Sequence, residues 1–128
     1  MKPQRLHPLE LDVMKVVWRL TRATVNDVLD NIDRKLAYTT IATTMKSLEK
    51  KGFLSHHVDG RTFVYQALVK ETEITRTMLT DLLERLFDNS AEKLVNTLLE
   101  VRHTSPDEHN RLQHLINNYQ PEEGETDD

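Results

Sequence analysis

Residues 53–67 read FLSHHVDGRTFVYQA, which places Asp59-Gly60 between two segments rich in β-branched and aromatic residues. Asp-Gly between two such segments is a strong hairpin signal, because a type I′ turn needs positive φ at both central residues. We therefore predict strands over residues 53–58 and 62–67, joined by a tight turn. In this prediction Arg61 lies at the tip of the hairpin.

Three helices are predicted before the hairpin. The first, Pro8–Leu20, begins at a proline that suits the first helical position, and its apolar residues recur at spacings of three and four. After a break at residues 21–23, Thr24 offers an N-cap oxygen to the second helix. The third helix is predicted over Tyr38–Lys51, with Gly52 placed where a left-handed C-terminal cap is favoured.

The chain after the hairpin is also predicted to be helical, but different in character. Apolar residues form a wide band over residues 70–89, and Ser90 is the expected N-cap of a second helix. Ser105-Pro106 is a strong start signal for a last helix, which ends near Tyr119. The final segment, residues 121–128, is acidic, has no apolar residue and is predicted to be disordered.

This order of elements predicts a mainly α protein with a small β-hairpin. Three helices followed directly by a tight hairpin are the order of a winged helix-turn-helix domain, and further helices follow. We therefore expect a winged-helix domain at residues 1–69 and a separate helical domain at residues 70–120. The acidic tail completes the predicted organisation at residues 121–128.

Charge is distributed unevenly between these two parts. Residues 1–69 contain 11 Lys/Arg and 7 Asp/Glu, a net charge of +4, whereas residues 70–128 contain 6 Lys/Arg and 14 Asp/Glu, a net charge of −8. Such asymmetry indicates a part that faces nucleic acid and a part with another role. A chance difference in composition is the alternative explanation.

The third predicted helix has one polar face without an acidic residue. Ile41, Met45 and Leu48 share the side expected to face the core, and Thr39 with Lys46 lies on the opposite side. A recognition helix needs such a face, because its N-terminal half reaches base edges in the major groove and its lysines contact bases or phosphates. The predicted DNA-binding residues are Thr39, Thr40, Thr43, Lys46, Ser47, Lys50 and Arg61.

An ordinary solvated helix face would also carry threonines and lysines. Two other classes of function therefore stay open at this point: a winged helix that binds another protein, and one that binds RNA. The exposed basic side chains argue against the first, and the long C-terminal half favours duplex DNA with two-fold symmetric sites.

Two runs of sequence, Leu36–Ile41 (LAYTTI) and Leu48–Leu54 (LEKKGFL), together with Gly60-Arg61 and Phe63-Val64-Tyr65, closely resemble the penicillinase-repressor (BlaI/MecI/CopY) family of transcriptional repressors. The resemblance spans roughly residues 6–119. It implies an N-terminal winged helix and a C-terminal helical dimerisation domain. It also implies a homodimer that binds palindromic double-stranded operator DNA and represses transcription.

The resemblance does not extend to either of the family's routes of induction. One branch is cleaved at an Asn-Phe bond after a membrane sensor is triggered, and no Asn-Phe pair occurs in this chain. The other branch binds metal through a Cys-rich C-terminal motif, and this chain has no cysteine. The inducing signal is therefore not predicted from the sequence.

The C-terminal helices are expected to pair the chain with a second copy of itself. About half of the candidate residues are expected to pack within one chain and the rest across the interface. The candidates are Leu79, Leu82, Leu86, Leu94, Leu98, Leu112, Leu115 and Ile116.

Other classes of site are not expected. The six histidines have poor spacing for a metal site, since His56 and His57 point to opposite faces of a strand. No phosphate-binding Gly-rich loop, HExxH or nucleophile elbow occurs, so neither an enzyme nor a cofactor is predicted. No apolar run is long enough to insert into a membrane, and a cytoplasmic protein is expected.

Overall fold

The computed structural model describes residues 5–121 and confirms the predicted fold class, with six helices and a small antiparallel sheet in this part of the chain. The elements are α1 (Pro8–Leu20), β1 (Arg22–Ala23), α2 (Val25–Asn31), α3 (Tyr38–Lys50), β2 (Leu54–Asp59), β3 (Thr62–Ala67), α4 (Glu71–Leu86), α5 (Ala91–Val101) and α6 (Pro106–Asn118). Except for Pro121, the predicted disordered tail lies outside the described residues.

The hairpin forms where it was predicted, but its turn is of another type. Asp59 pairs with Thr62, so the two-residue loop is Gly60-Arg61 rather than Asp59-Gly60. Gly60 has φ +68°, and Arg61 is not among the residues with positive φ. Positive φ at the first central position alone is the pattern of a type II′ turn, which requires glycine there. The prediction of a type I′ turn was wrong because the strand pairing extends one residue further than the composition indicated.

The predicted break at residues 21–23 contains a third strand. β1 pairs antiparallel with β3, with Arg22 opposite Gln66 and Ala23 opposite Tyr65, which gives the strand order β1-β3-β2. Thr21, which ends α1, has φ 75° and ψ −47°. A β-branched residue adopts this conformation only under strain. The chain thus turns sharply out of α1 into the sheet.

The core of the N-terminal part lies between the first three helices and the sheet. The predicted inner face of α3 is confirmed, since Ile41, Met45 and Leu48 are fully buried. α1 contributes Met14 and Val17 to the same cluster. The other side chains buried to a similar degree are Val13, Ala23, Val28, Leu54 and Tyr65. Burial of this one face of α3 leaves its opposite face to solvent.

A buried carboxylate fixes the end of α3 against the start of α1. Glu10 is 5% exposed, and its carboxylate accepts hydrogen bonds from Lys51 Nζ (2.8 and 2.9 Å), Ser47 Oγ (3.2 Å) and the His7 backbone N–H (2.9 Å). Burial alone would raise the pKa of Glu10, but the hydrogen bonds and the charge of Lys51 outweigh it and hold the pKa below 4.5. Glu10 is therefore ionised and fully partnered inside the fold.

The chain divides into two compact units, with the boundary between Leu79 and Thr80, inside α4. In the second unit, Ser90 caps α5 by accepting from Lys93 N, and Ser105 caps α6 by accepting from Glu108 N. From residue 80 to residue 121 no side chain is buried in the single chain. The division into DNA-binding and dimerising residues at position 69 is a statement about function and stays a prediction.

Candidate nucleic-acid interface

The solvent face of α3 is as polar as the sequence indicated. Thr39, Thr43, Lys46 and Lys50 are all exposed. Within the described part of the chain, neither lysine forms an ion pair or hydrogen bond with another residue. Both ammonium groups are therefore available to an anionic partner, and no carboxylate must be displaced first.

Two further residues predicted to bind DNA, Thr40 and Ser47, differ from each other in the structure. Thr40 is exposed, and its backbone carbonyl accepts a hydrogen bond from Thr44 Oγ1 (2.8 Å). Ser47 is half-buried, and its hydroxyl donates to Glu10. The structure thus groups Thr40 with the exposed face, while the Ser47 hydroxyl is already used to hold α3 against α1.

Arg61 lies at the tip of the hairpin formed by β2 and β3, hereafter the wing. Its side chain is exposed and has no ion-pair partner among residues 5–121. Gly60 alone takes the positive φ of the turn, so the position of Arg61 needs no unusual backbone conformation. The wing therefore presents a cation at its end.

One cluster at the base of the wing was not found by sequence reasoning. Glu49, in the last turn of α3, lies 2.7 and 2.8 Å from Nδ1 of His56 on β2. The His56 ring stacks on Phe63 of β3, with ring centroids 4.0 Å apart and planes 10° apart. The available signal was the two-residue alternation of β2, which puts His56 on the face that packs on α3.

Tyr65 lies beneath this cluster and is almost fully buried. Burial raises the pKa of its phenol, and the nearby Glu49 carboxylate and Tyr38 raise it further. Tyr65 is therefore neutral, and its ring centroid lies 5.4 Å from that of His56. The cluster thus joins the Glu49 side chain to three stacked or tilted rings.

The residues predicted for dimerisation lie on α4, α5 and α6. Leu94 and Leu112 are half-buried within the single chain. The others are exposed, and their exposed fractions reach 64% at Leu115 and Ile116 and 67% at Leu86. Exposed apolar side chains in this number are unusual on a helical segment that has no partner.

The sequence model described as "Penicillinase repressor" matches residues 6–118. This chain belongs to the penicillinase repressor family. The family match covers both the three-helix unit with its wing and the helices that follow.

Individual members of the penicillinase repressor family are similar along nearly the whole chain. The penicillinase repressor of Bacillus licheniformis is 30% identical over 117 residues, covering 90% of this chain and 91% of that protein. The methicillin resistance regulatory protein MecI of Staphylococcus aureus is 26% identical over 118 residues, covering 91% and 96%. The solution structure of the DNA binding domain of the repressor BlaI is 36% identical with a TM-score of 0.50, covering 57% of this chain and 90% of that one.

Across residues 5–121, His, Asp and Glu side chains do not gather in any group of three or more that could hold a metal ion. In the same part of the chain, no helix combines the length and the apolar character that crossing a membrane requires.

Proposed function

We propose that this chain is a sequence-specific transcriptional repressor that binds double-stranded operator DNA as a homodimer. The observation that carries the proposal is the exposed face of α3, where hydroxyl side chains and unpaired lysines lie together. The opposite face of this helix is buried in the core. Membership of the penicillinase repressor family supports it. So does the similarity to a BlaI domain that is described as DNA binding.

Each polar residue of the face has a proposed role that follows from its position. Thr39, Thr40 and Thr43, in the first half of α3, face base edges in the major groove, where their methyl groups can also contact thymine methyls. Lys46 contacts bases, and Lys50 contacts phosphate. Ser47 supports α3 through its hydrogen bond to Glu10 and adds to the DNA-binding face from the flank of that face.

Arg61 is proposed to bind phosphate or the neighbouring minor groove from the tip of the wing. This contact would lie outside the major groove that receives α3. Phosphate contacts fix the register of a protein on DNA and add affinity that does not depend on sequence. The wing and α3 thus have complementary roles.

The homodimer is proposed to form through the exposed apolar side chains of α4, α5 and α6. Residues 1–69 would then bind DNA and residues 70–120 would hold two copies together. A two-fold symmetric protein fits two half-sites of a palindromic operator, and linking the two half-site contacts raises the affinity of the pair. Repression follows when the bound dimer blocks RNA polymerase. This role needs no catalytic group.

Fluorescence anisotropy tests the proposal directly. The purified chain is titrated against a labelled duplex from upstream of its own gene and against a scrambled duplex of equal composition, at two salt concentrations. We expect a preference of about a thousandfold for the native duplex, with affinity falling steeply as salt rises.

Equal, weak binding to both duplexes would contradict sequence-specific recognition of this region. No binding to either at low salt would overturn the DNA-binding proposal and favour a winged helix that binds protein. Titration of a hairpin RNA under the same conditions distinguishes the RNA-binding alternative, which predicts tighter binding to RNA than to either duplex.

A further inference from the structure

The wing is weakly supported along its outer half. β1 pairs with β3 only at Tyr65 and Gln66, so the outer half of the wing consists of two strands. A two-stranded ribbon with no further partner is marginally stable in water. The direction of the wing, and with it the position of Arg61, therefore depends on side chains that hold its base.

Glu49 and His56 supply such a contact between α3 and the wing. A carboxylate can only accept, so the Nδ1–H of His56 donates to Glu49 at 2.7 and 2.8 Å. Both side chains are partly shielded, at 33% and 25% exposed. A hydrogen bond to an ionised group is stronger than one between neutral groups, and partial burial reduces its screening by salt.

The contact continues from His56 to the outer part of the wing. His56 stacks on Phe63, which lies on β3 two residues after the turn residue Arg61 and is diagonal to His56 across the strand pair. The rings lie nearly parallel at 4.0 Å, so a change in the orientation of His56 shifts Phe63 with it. A continuous path of contacts thus leads from the last turn of α3 toward the tip of the wing.

The charge of Glu49 is unfavourable for DNA binding at this position of α3. Glu49 lies on the helix that offers Lys46 and Lys50 to DNA, so its carboxylate repels the phosphates that those lysines attract. A carboxylate that acted through charge alone would weaken DNA binding. The close pairing of Glu49 with His56 indicates a structural role for this carboxylate at the end of α3.

We propose that Glu49 and His56 are positioning residues, which hold the wing at the angle to α3 that lets Arg61 and α3 contact one DNA site together. This inference rests on the proposed DNA-binding function. It goes further in assigning a role to two residues that do not themselves contact DNA.

A double-mutant cycle with Glu49→Ala and Arg61→Ala tests the proposal. The probe is a duplex selected by the wild-type full-length chain from a random-sequence library, with affinity measured by anisotropy. With Arg61 present, we expect Glu49→Ala to weaken binding about fivefold, as is typical for coupled residues. In the Arg61→Ala background, the same change should leave affinity unchanged or tighten it, because only the lost repulsion remains.

Two further variants separate positioning from folding. Glu49→Gln keeps an oxygen that can accept from His56, so it should retain most of the wild-type affinity. His56→Ala should weaken binding, whereas the matched control His57→Ala, on the exposed opposite face of β2, should not. Thermal unfolding of each variant shows whether the N-terminal unit, which contains the wing, still folds.

Glu49→Ala should also lower the dependence of log Kd on log salt by about one phosphate contact, since Arg61 no longer reaches its phosphate. Tighter binding of Glu49→Ala with Arg61 present, or an equal loss in both backgrounds, would overturn the inference and leave the DNA-binding proposal intact. Failure of the wild-type chain to select any duplex would instead overturn the proposed function itself.

Discussion

Removing the cation from the buried pair between α1 and α3 should strongly destabilise the N-terminal unit. In Lys51→Ala, the Glu10 carboxylate keeps only the His7 N–H and the Ser47 hydroxyl as partners. Its side chain is 6% exposed, and that of Lys51 is 20% exposed, so water replaces the lost ammonium poorly. Breaking a buried pair from one side costs about 3 kcal/mol or more, because it leaves an uncompensated charge.

Thermal and urea unfolding of the full-length chain measure this effect. A loss of about 3 kcal/mol corresponds to a fall in Tm of about 15 °C for a unit of this size. The matched control is Lys50→Ala, one residue earlier, where the lysine is exposed and has no partner in the described structure. Its free energy of unfolding should change by no more than about 0.5 kcal/mol.

The difference between wild type and Lys51→Ala should depend on pH. The pKa of Glu10 is lowered by folding, so its ionisation stabilises the wild type above the pKa of the unfolded chain. That stabilisation is lost as pH falls through the lowered pKa of the folded state. Without Lys51, burial raises the pKa of Glu10, and a neutral carboxyl group costs less inside the fold.

The difference in unfolding free energy should therefore shrink to less than half between about pH 7 and about pH 3. A difference that stays constant over this range would refute the electrostatic explanation. An equal loss in Lys50→Ala would refute the specific role of the buried pair.

Three more predictions concern DNA binding, backbone strain and assembly. Lys50→Ala should weaken binding to all duplexes alike and lower the salt slope by about one, measured by anisotropy; loss of sequence discrimination with an unchanged slope would contradict its phosphate role. Thr21→Gly should raise the free energy of unfolding by about 1 kcal/mol by relieving strain at φ 75°, whereas Thr75→Gly within α4 should lower it by about 0.4 kcal/mol; a less stable Thr21→Gly chain would contradict the strain. Leu115→Glu should convert a dimer to a monomer in sedimentation velocity, whereas Leu68→Glu, exposed in the N-terminal unit, should not; a Leu115→Glu dimer would exclude this residue from the interface.

Much of the fold could be predicted because it depends on local patterns. The bounds of α1 agree with the prediction, and the N-terminus of α2 is set by Thr24, whose hydroxyl accepts from Asp27 N at 3.0 Å. Gly52 has φ +90°, as a left-handed helix cap requires. Each of these features depends on residues within one or two helical turns of each other.

The features that were missed depend on pairing between distant residues. β1 has two residues, too few for an alternating pattern, and it exists only because β3 offers a free edge. The turn type depended on the register of β2 and β3, which composition does not determine. Likewise, nothing local marks Glu49 as the partner of His56, because the contact depends on how the helix packs on the strand.

The candidate DNA face was predictable for the same reason as the helices. A helix that buries Ile41, Met45 and Leu48 must expose the residues between them, so the pattern alone brought Thr39, Thr43, Lys46 and Lys50 together. The bases or phosphates that each of these residues contacts depend on the bound DNA duplex, so the individual roles stay predictions.

Because no side chain between residues 80 and 121 is buried in the single chain, the proposed repression should depend on the concentration of the protein in the cell. In the proposed homodimer, helices that bury so little by themselves would gain most of their stability from the second copy, so their melting temperature should rise with protein concentration while that of the N-terminal unit stays constant. A newly made chain would then remain a weak, protease-sensitive single-site binder until enough copies accumulate. The abundance of the protein would itself set a threshold for repression.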